Sequence, residues 1–195
     1  MLNADDVQRG LGSAWRLFLG DRQAIRGFDA SFSGFWRSFS AVILVLPIYV
    51  LYIGAERRMV LSDLPDGADF GEASFAFTRF LALALDWIAF PLITAVLSRP
   101  MGFASGYTRL IVAFNWGGPI VSLIVALPAI LFAFNLIPQF AASLLLFAAL
   151  IMTIRFRFIT ARAALGCGFG LAAGLVALEF LLSLVLGEAL TRLGG

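Results

Sequence analysis

The stretch FTRFLALALDWIAFPLITAV, Phe77 to Val96, decides the class of this chain. At a rise of ~1.5 Å per residue, such a run is long enough to cross the ~30 Å hydrocarbon core of a bilayer. It is apolar almost throughout, yet it holds Asp86 near its middle and Arg79 two turns earlier on the same helical face. A charged carboxylate at the centre of a spanning helix costs roughly 2.5 to 3.5 kcal/mol on insertion scales. Asp86 must therefore be held by a partner or used.

The rest of the chain shares this character. Of its 195 residues 61% are apolar and 13% charged, and the mean hydropathy is +0.96; soluble domains carry about 25% charged residues. The expected fold is all-α, a polytopic membrane bundle of about five transmembrane helices. The spans are read at about 35–53, 74–97, 108–134, 137–154 and 163–186, forming one membrane domain over 31–195 behind a segment 1–30 on the cytoplasmic or interfacial side.

Several chemistries are excluded by what the sequence lacks. Histidine and lysine are absent, all 14 basic residues are arginine, and Cys167 is the lone cysteine. An internal disulfide, a Cys/His zinc site, a Ser-His-Asp or Cys-His triad, a Schiff base and a P-loop lysine all fall away. The expectation is a protein that is not an enzyme and that has neither cofactor nor metal. MLNADDVQRGLGSAW lacks the basic start and apolar core of a cleavable signal peptide, so the N-terminus is expected to be retained.

Val7, Leu11, Trp15 and Phe18 follow one helical face, which predicts an N-terminal interfacial amphipathic helix closed by Gly20. Phe28, Phe32, Phe35, Trp36 and Phe39 surround Arg37 as an aromatic belt with a snorkelling arginine, and Pro47 marks a kink in the first span. AERRMVLSDLPDGADFGEA, with its Pro-Asp-Gly turn, reads as a solvent loop. The third span is longer than a bilayer needs, so it must tilt, or break near Gly117-Gly118-Pro119. A break after Asn115 and Trp116 would expose backbone carbonyls as ligands; a plain proline kink is the simpler reading.

The arginines orient the bundle. With five spans, Arg9, Arg16, Arg22, Arg26, Arg37, Arg99, Arg109, Arg155, Arg157 and Arg162 share one face, whereas Arg57, Arg58, Arg79 and Arg192 share the other. The positive-inside rule then predicts a cytoplasmic N-terminus and a C-terminus on the opposite side, the periplasmic one in the bacterial inner membrane that is the expected location.

Two further constellations stand out. Asp86 and Glu179 come to comparable depth, so with Arg79 and Asn115 they form a candidate proton or cation site in which two close carboxylates share a proton. Alternatively, Asp86 bonds to Arg79 or to Trp or Asn groups of neighbouring helices. Ala163, Gly166, Gly170 and Gly174 recur at every third or fourth position and predict a face for tight helix packing, with Cys167 as a small packing residue. Arg9, Arg16, Arg155, Arg157 and Arg162 make a basic rim suited to anionic lipid headgroups.

GYTRLIVAFNWGGPIVSLIVALP, Gly106 to Pro128, and RFRFITARAALGCGFGLAAG, Arg155 to Gly174, resemble the bacterial branch of the Yip-domain family, five-span proteins with a cytoplasmic N-terminus. FDASFSGFWRSF, Phe28 to Phe39, is similar to segments of alphaproteobacterial membrane proteins. The resemblance implies action through lipids or partners in membrane organisation and transfers no site residue. Function is thus expected to be that of a scaffold, assembly factor or accessory subunit. Its partners would be membrane lipids and other membrane proteins or further copies of itself, with no nucleic acid. The alternative is a small proton- or cation-coupled transporter using Asp86 and Glu179.

Overall fold

The structure, a computed structural model, describes residues 3–63 and 71–194, and among these it is helical with no strand. Seven α-helices follow one another: α1 (Ala4–Phe18), α2 (Phe32–Ser38), α3 (Val42–Asp63), α4 (Glu72–Ser98), α5 (Tyr107–Ala133), α6 (Gln139–Leu165) and α7 (Phe169–Gly194). Five helical segments are long and apolar enough to cross a membrane: Phe32–Leu61, Glu72–Ser98, Ala104–Ala133, Gln139–Leu165 and Phe169–Leu190. This is the architecture of a multi-pass integral membrane protein. The Pro-Asp-Gly turn expected after α3 lies outside the described residues.

α5 is the hub. Every residue from Leu110 to Pro119 is buried, whereas α4 and α7 sit at the periphery and keep Leu92, Val96, Leu181, Leu184 and Val185 exposed. An apolar outer face is what a lipid-facing helix requires, because burial against acyl chains replaces burial against protein.

α1 begins at Asn3, whose side chain accepts from the Asp5 N–H, and Asp5 and Asp6 in its first turn complement the helix dipole. The helix is amphipathic as expected. It presses Gly10, Ser13, Ala14 and Leu17 onto α5 and α6, with Val7, Leu11 and Phe18 at the margin of the core. Gly10 is required there, since a Cβ would run into the Trp116 ring. Trp15 stays exposed and stacks on Phe18, their ring centroids 5.4 Å apart.

Together with the 3₁₀ segment Arg22–Gly27 and α2, α1 forms a collar around the start of α5 and the end of α6. Within it Arg37 pairs with Asp29 at 2.6 Å, and Arg155 donates to the Phe18 carbonyl at 3.0 Å. Phe32 and Trp36 remain exposed on its outer side, as an aromatic belt would be.

One alternative closes, and the bounds of the last two spans need correction. α5 is a continuous helix through Pro119 and Pro128 and does not break at Gly117-Gly118; the two glycines are close-packing positions, where added Cβ atoms would come within 2.8 Å of Phe156 and of Trp87 respectively. The fourth span does not stop at Ile154 but continues through RFRFITAR to Leu165 and ends at Gly166, whose φ of 62° suits glycine. The fifth span consequently starts at Phe169, not Ala163, and the small-residue series does not lie on one helix. Ala163 belongs to α6, Gly166 caps it, and only Gly170 and Gly174 share α7, both with open space where a Cβ would stand.

Candidate functional site

Asp86 lies fourteen residues after the start of α4 and twelve before its end, roughly 21 and 18 Å of helical rise, so it stands at mid-span. Its expected partner Arg79 is not there. Arg79 reaches instead across to α3, where Nε and Nη2 donate to the two Glu56 oxygens at 2.9 and 2.6 Å, while the Tyr49 hydroxyl donates to the Arg79 carbonyl at 2.8 Å. The group that holds Asp86 is the Ser183 hydroxyl of α7, 2.8 Å from both carboxylate oxygens.

Glu179, one helical turn before Ser183, faces Arg157 of α6, with Nε 3.0 Å from Oε1. The contact is an ion pair without an aligned hydrogen bond, since Nε has no acceptor in line. Arg157 also donates from Nη1 to the Phe114 carbonyl at 2.9 Å, and its guanidinium lies 4.6 Å from the centroid of the Phe114 ring. Its side chain is 12% exposed. The expected role of Arg157 at a lipid-facing rim is therefore corrected: it is an interior cation. Of its rim companions, Arg9 pairs with Asp6, Arg16 with Asp21, Arg155 caps α1, and Arg162 sits over the Phe158 ring.

These groups share one cavity of about 160 Å³, lined among others by Asp86, Trp87, Asn115, Ser122, Arg157 and Glu179. At ~30 Å³ per molecule it has room for about five waters. Trp87 Nε1 is buried in its wall without a protein acceptor, a donor that calls for water or a ligand. Asn115 reaches the other way, donating to Ser38 at 2.9 Å and tying α5 to α2. Phe90 and Phe114 stack with centroids 5.0 Å apart and close the apolar side.

Two prolines interrupt the helical hydrogen bonding beside this cavity. Pro91 in α4 and Pro119 in α5 have no N–H to give the carbonyls four residues earlier, and those residues are Trp87 and Asn115, both in the cavity lining. Each of these carbonyls thus lacks its usual helical donor while α4 and α5 stay unbroken.

A second cavity of about 100 Å³ adjoins Asp86 and Ser183 on the other side, lined by Tyr49, Ala82, Leu83, Leu186 and Gly187. Leu83, Asp86 and Ser183 line both cavities, and the α4 and α7 residues that only the second one has, Ala82, Leu186 and Gly187, lie further from the collar than Trp87, Phe90, Pro91 and Glu179, which only the first one has. The Asp86–Ser183 pair therefore separates a collar-side chamber from one on the far side, beyond which stands the Tyr49–Arg79–Glu56 cluster.

Of the four residues expected to form a proton or cation site, Asp86, Glu179 and Asn115 line this cavity and Arg79 does not; Ser183, Arg157 and Trp87, which the expectation did not include, line it as well. A serine on an apolar helix one turn after Glu179 was the available signal. No protein-family model, characterised protein or solved structure matches the chain, so the Yip-domain resemblance rests on sequence pattern alone.

Proposed function

We propose that the protein is a small proton- or cation-coupled carrier of the bacterial inner membrane, with Asp86 as its coupling group. The observation that carries this reading is the position of Asp86 between two chambers at mid-span, held only by a hydroxyl. Glu179 has Arg157 as its counter-charge. Asp86 has none in contact, and a proton or a small monovalent cation would neutralise it. Ionisable residues inside spans are costly to desolvate, and those retained there mark ion pathways and proton relays as a class.

Passage would follow the chambers: from the collar side past Asn115 and Arg157 to the Asp86–Ser183 pair, then toward Tyr49. The arginine distribution supports a cytoplasmic collar, as nine of the ten arginines assigned to that face sit at or near this end, with Arg157 inside. The test is a flux assay in sealed proteoliposomes with an internal pH dye and an imposed potassium diffusion potential. Wild-type protein should acidify the lumen or admit a monovalent cation, and Asp86→Asn should abolish flux while the protein remains folded. Full flux in that variant would remove Asp86 from the mechanism.

A second reading, that of a scaffold or accessory subunit, is favoured by one observation. Gly170 and Gly174 lie one turn apart on α7 with open space before them, a surface on which another helix could approach closely. Native mass analysis after mild extraction distinguishes the two: a stoichiometric protein partner supports the scaffold, and an isolated chain or homo-oligomer supports the carrier.

A further inference from the structure

The arginines of this chain are almost all spoken for. Ten of the 14 have a partner: Arg9, Arg16, Arg37, Arg57, Arg79, Arg157 and Arg192 pair with carboxylates. Arg58 and Arg155 donate to carbonyls, and Arg162 lies over an aromatic ring. Among the described residues, Arg22, Arg26, Arg99 and Arg109 have no such partner. Three of these four, Arg22, Arg26 and Arg109, line one cleft.

The cleft has a volume of about 570 Å³ and lies between the 3₁₀ segment Arg22–Gly27 and the adjoining parts of α5 and α6, a size within the ~300 to 1,000 Å³ of small-molecule sites. Its charged groups are all cations, with Gln23 as the neutral polar neighbour, and its apolar lining is Ile25, Phe28, Ala30 and Ala163. Nearby acids are engaged elsewhere: Asp21 with Arg16, Asp29 with Arg37. Three unpaired guanidinium groups in one concavity repel each other until an anion joins them, and planar forked donors suit phosphate oxygens. The exposed Phe32 and Trp36 put this collar at the level where an aromatic belt meets headgroups.

We infer that this cleft binds the phosphate of an anionic phospholipid headgroup, with Arg22, Arg26 and Arg109 as the phosphate donors and the Ile25–Phe28 side against the glycerol and upper acyl chain. The site is separate from the Asp86 cavity and from the rim arginines expected to touch lipid, most of which are paired within the protein.

The test uses the full chain in nanodiscs of equal parts phosphatidylglycerol and phosphatidylcholine, with retained lipid read by native mass spectrometry. Wild-type protein should keep phosphatidylglycerol in preference. Each Arg→Gln change at 22, 26 or 109 should weaken retention about fivefold, whereas Arg99→Gln, which removes an unpaired charge outside the cleft, should leave it unchanged. Equal retention of the two lipids by wild type, or undiminished preference in the triple variant, would overturn the assignment.

A second arm needs no variant. The thermal midpoint of delipidated wild-type protein in neutral detergent should rise with short-chain phosphatidylglycerol and stay put with inorganic phosphate. An equal rise with inorganic phosphate would give the cleft to a soluble phosphate and overturn the lipid assignment.

Discussion

Replacing Arg157 with methionine removes a cation whose side chain is 12% exposed and leaves Glu179, 22% exposed, without its counter-charge inside the bundle. It also deprives the Phe114 carbonyl of its donor at 2.9 Å. Breaking one side of a buried pair costs roughly 3 to 5 kcal/mol; because a cavity able to hold water adjoins Glu179, the lower end applies, ~3 kcal/mol, or roughly a hundredfold in the folded-to-unfolded ratio. Glu179→Gln should cost a similar amount by leaving Arg157 with only a carbonyl and an aromatic face. The double variant removes both charges together, so it should lose only ~1 to 2 kcal/mol, the hydrogen bond and some packing. The assay is reversible unfolding in mixed micelles followed by circular dichroism, run as a double-mutant cycle. Additive losses, with the double variant near ~6 kcal/mol, would refute the pairing that the site is built on.

Gly10→Leu should drive a side chain into the Trp116 ring, destabilise the collar by ~1 to 3 kcal/mol and expose the N-terminal helix to protease; unchanged protection would mean α1 does not pack as described. Gly170→Leu meets open space and should leave the thermal midpoint of the single chain unchanged while weakening any self-association measured by sedimentation, so a large fall in midpoint would place Gly170 in an internal contact. Asp29 accepts from the Ser31 N–H and pairs with Arg37, and its Ser31 and Arg37 partners hold its carboxyl below the ordinary value of 3.8. The folded value being depressed, Asp29 stabilises the collar at pH above that ordinary value, and the benefit is lost as pH falls toward and through the folded one. The acid limb of a stability-against-pH curve should therefore flatten in Asp29→Asn, and an unchanged limb would exclude Asp29 as its source.

Much of the architecture was legible because lipid-spanning helices announce themselves by length and hydropathy, and the five runs were located from these alone. The ends were less legible. RFRFITAR looked like the close of a span since its arginines suggested solvent, yet arginine is a good helix former, and Phe156, Ile159 and Thr160 on the same stretch are buried. The true stop is the left-handed Gly166.

For the site, depth along each helix brought Asp86 and Glu179 together. Partner choice was not readable, because no spacing rule links Asp86 to Ser183, 97 residues away, or Arg79 to Glu56 on a different helix. Arg79 and Asp86 do share a sequence face, but the Glu56 carboxylate gives the guanidinium a bidentate partner, which is the stronger geometry.

The central claim is that polar, solvent-reached chambers flank Asp86, itself exposed at mid-span between α4 and α7, and cysteine accessibility measures it most directly. In a Cys167→Ala background, Ser183→Cys on the cavity side of α7 and Val185→Cys on its exposed apolar side are treated in liposomes with a membrane-impermeant, charged thiol reagent. The account predicts rapid labelling at position 183 and none at 185. Equal inertness at the two positions would mean the chamber is closed to water and ions, and would contradict the proposed route.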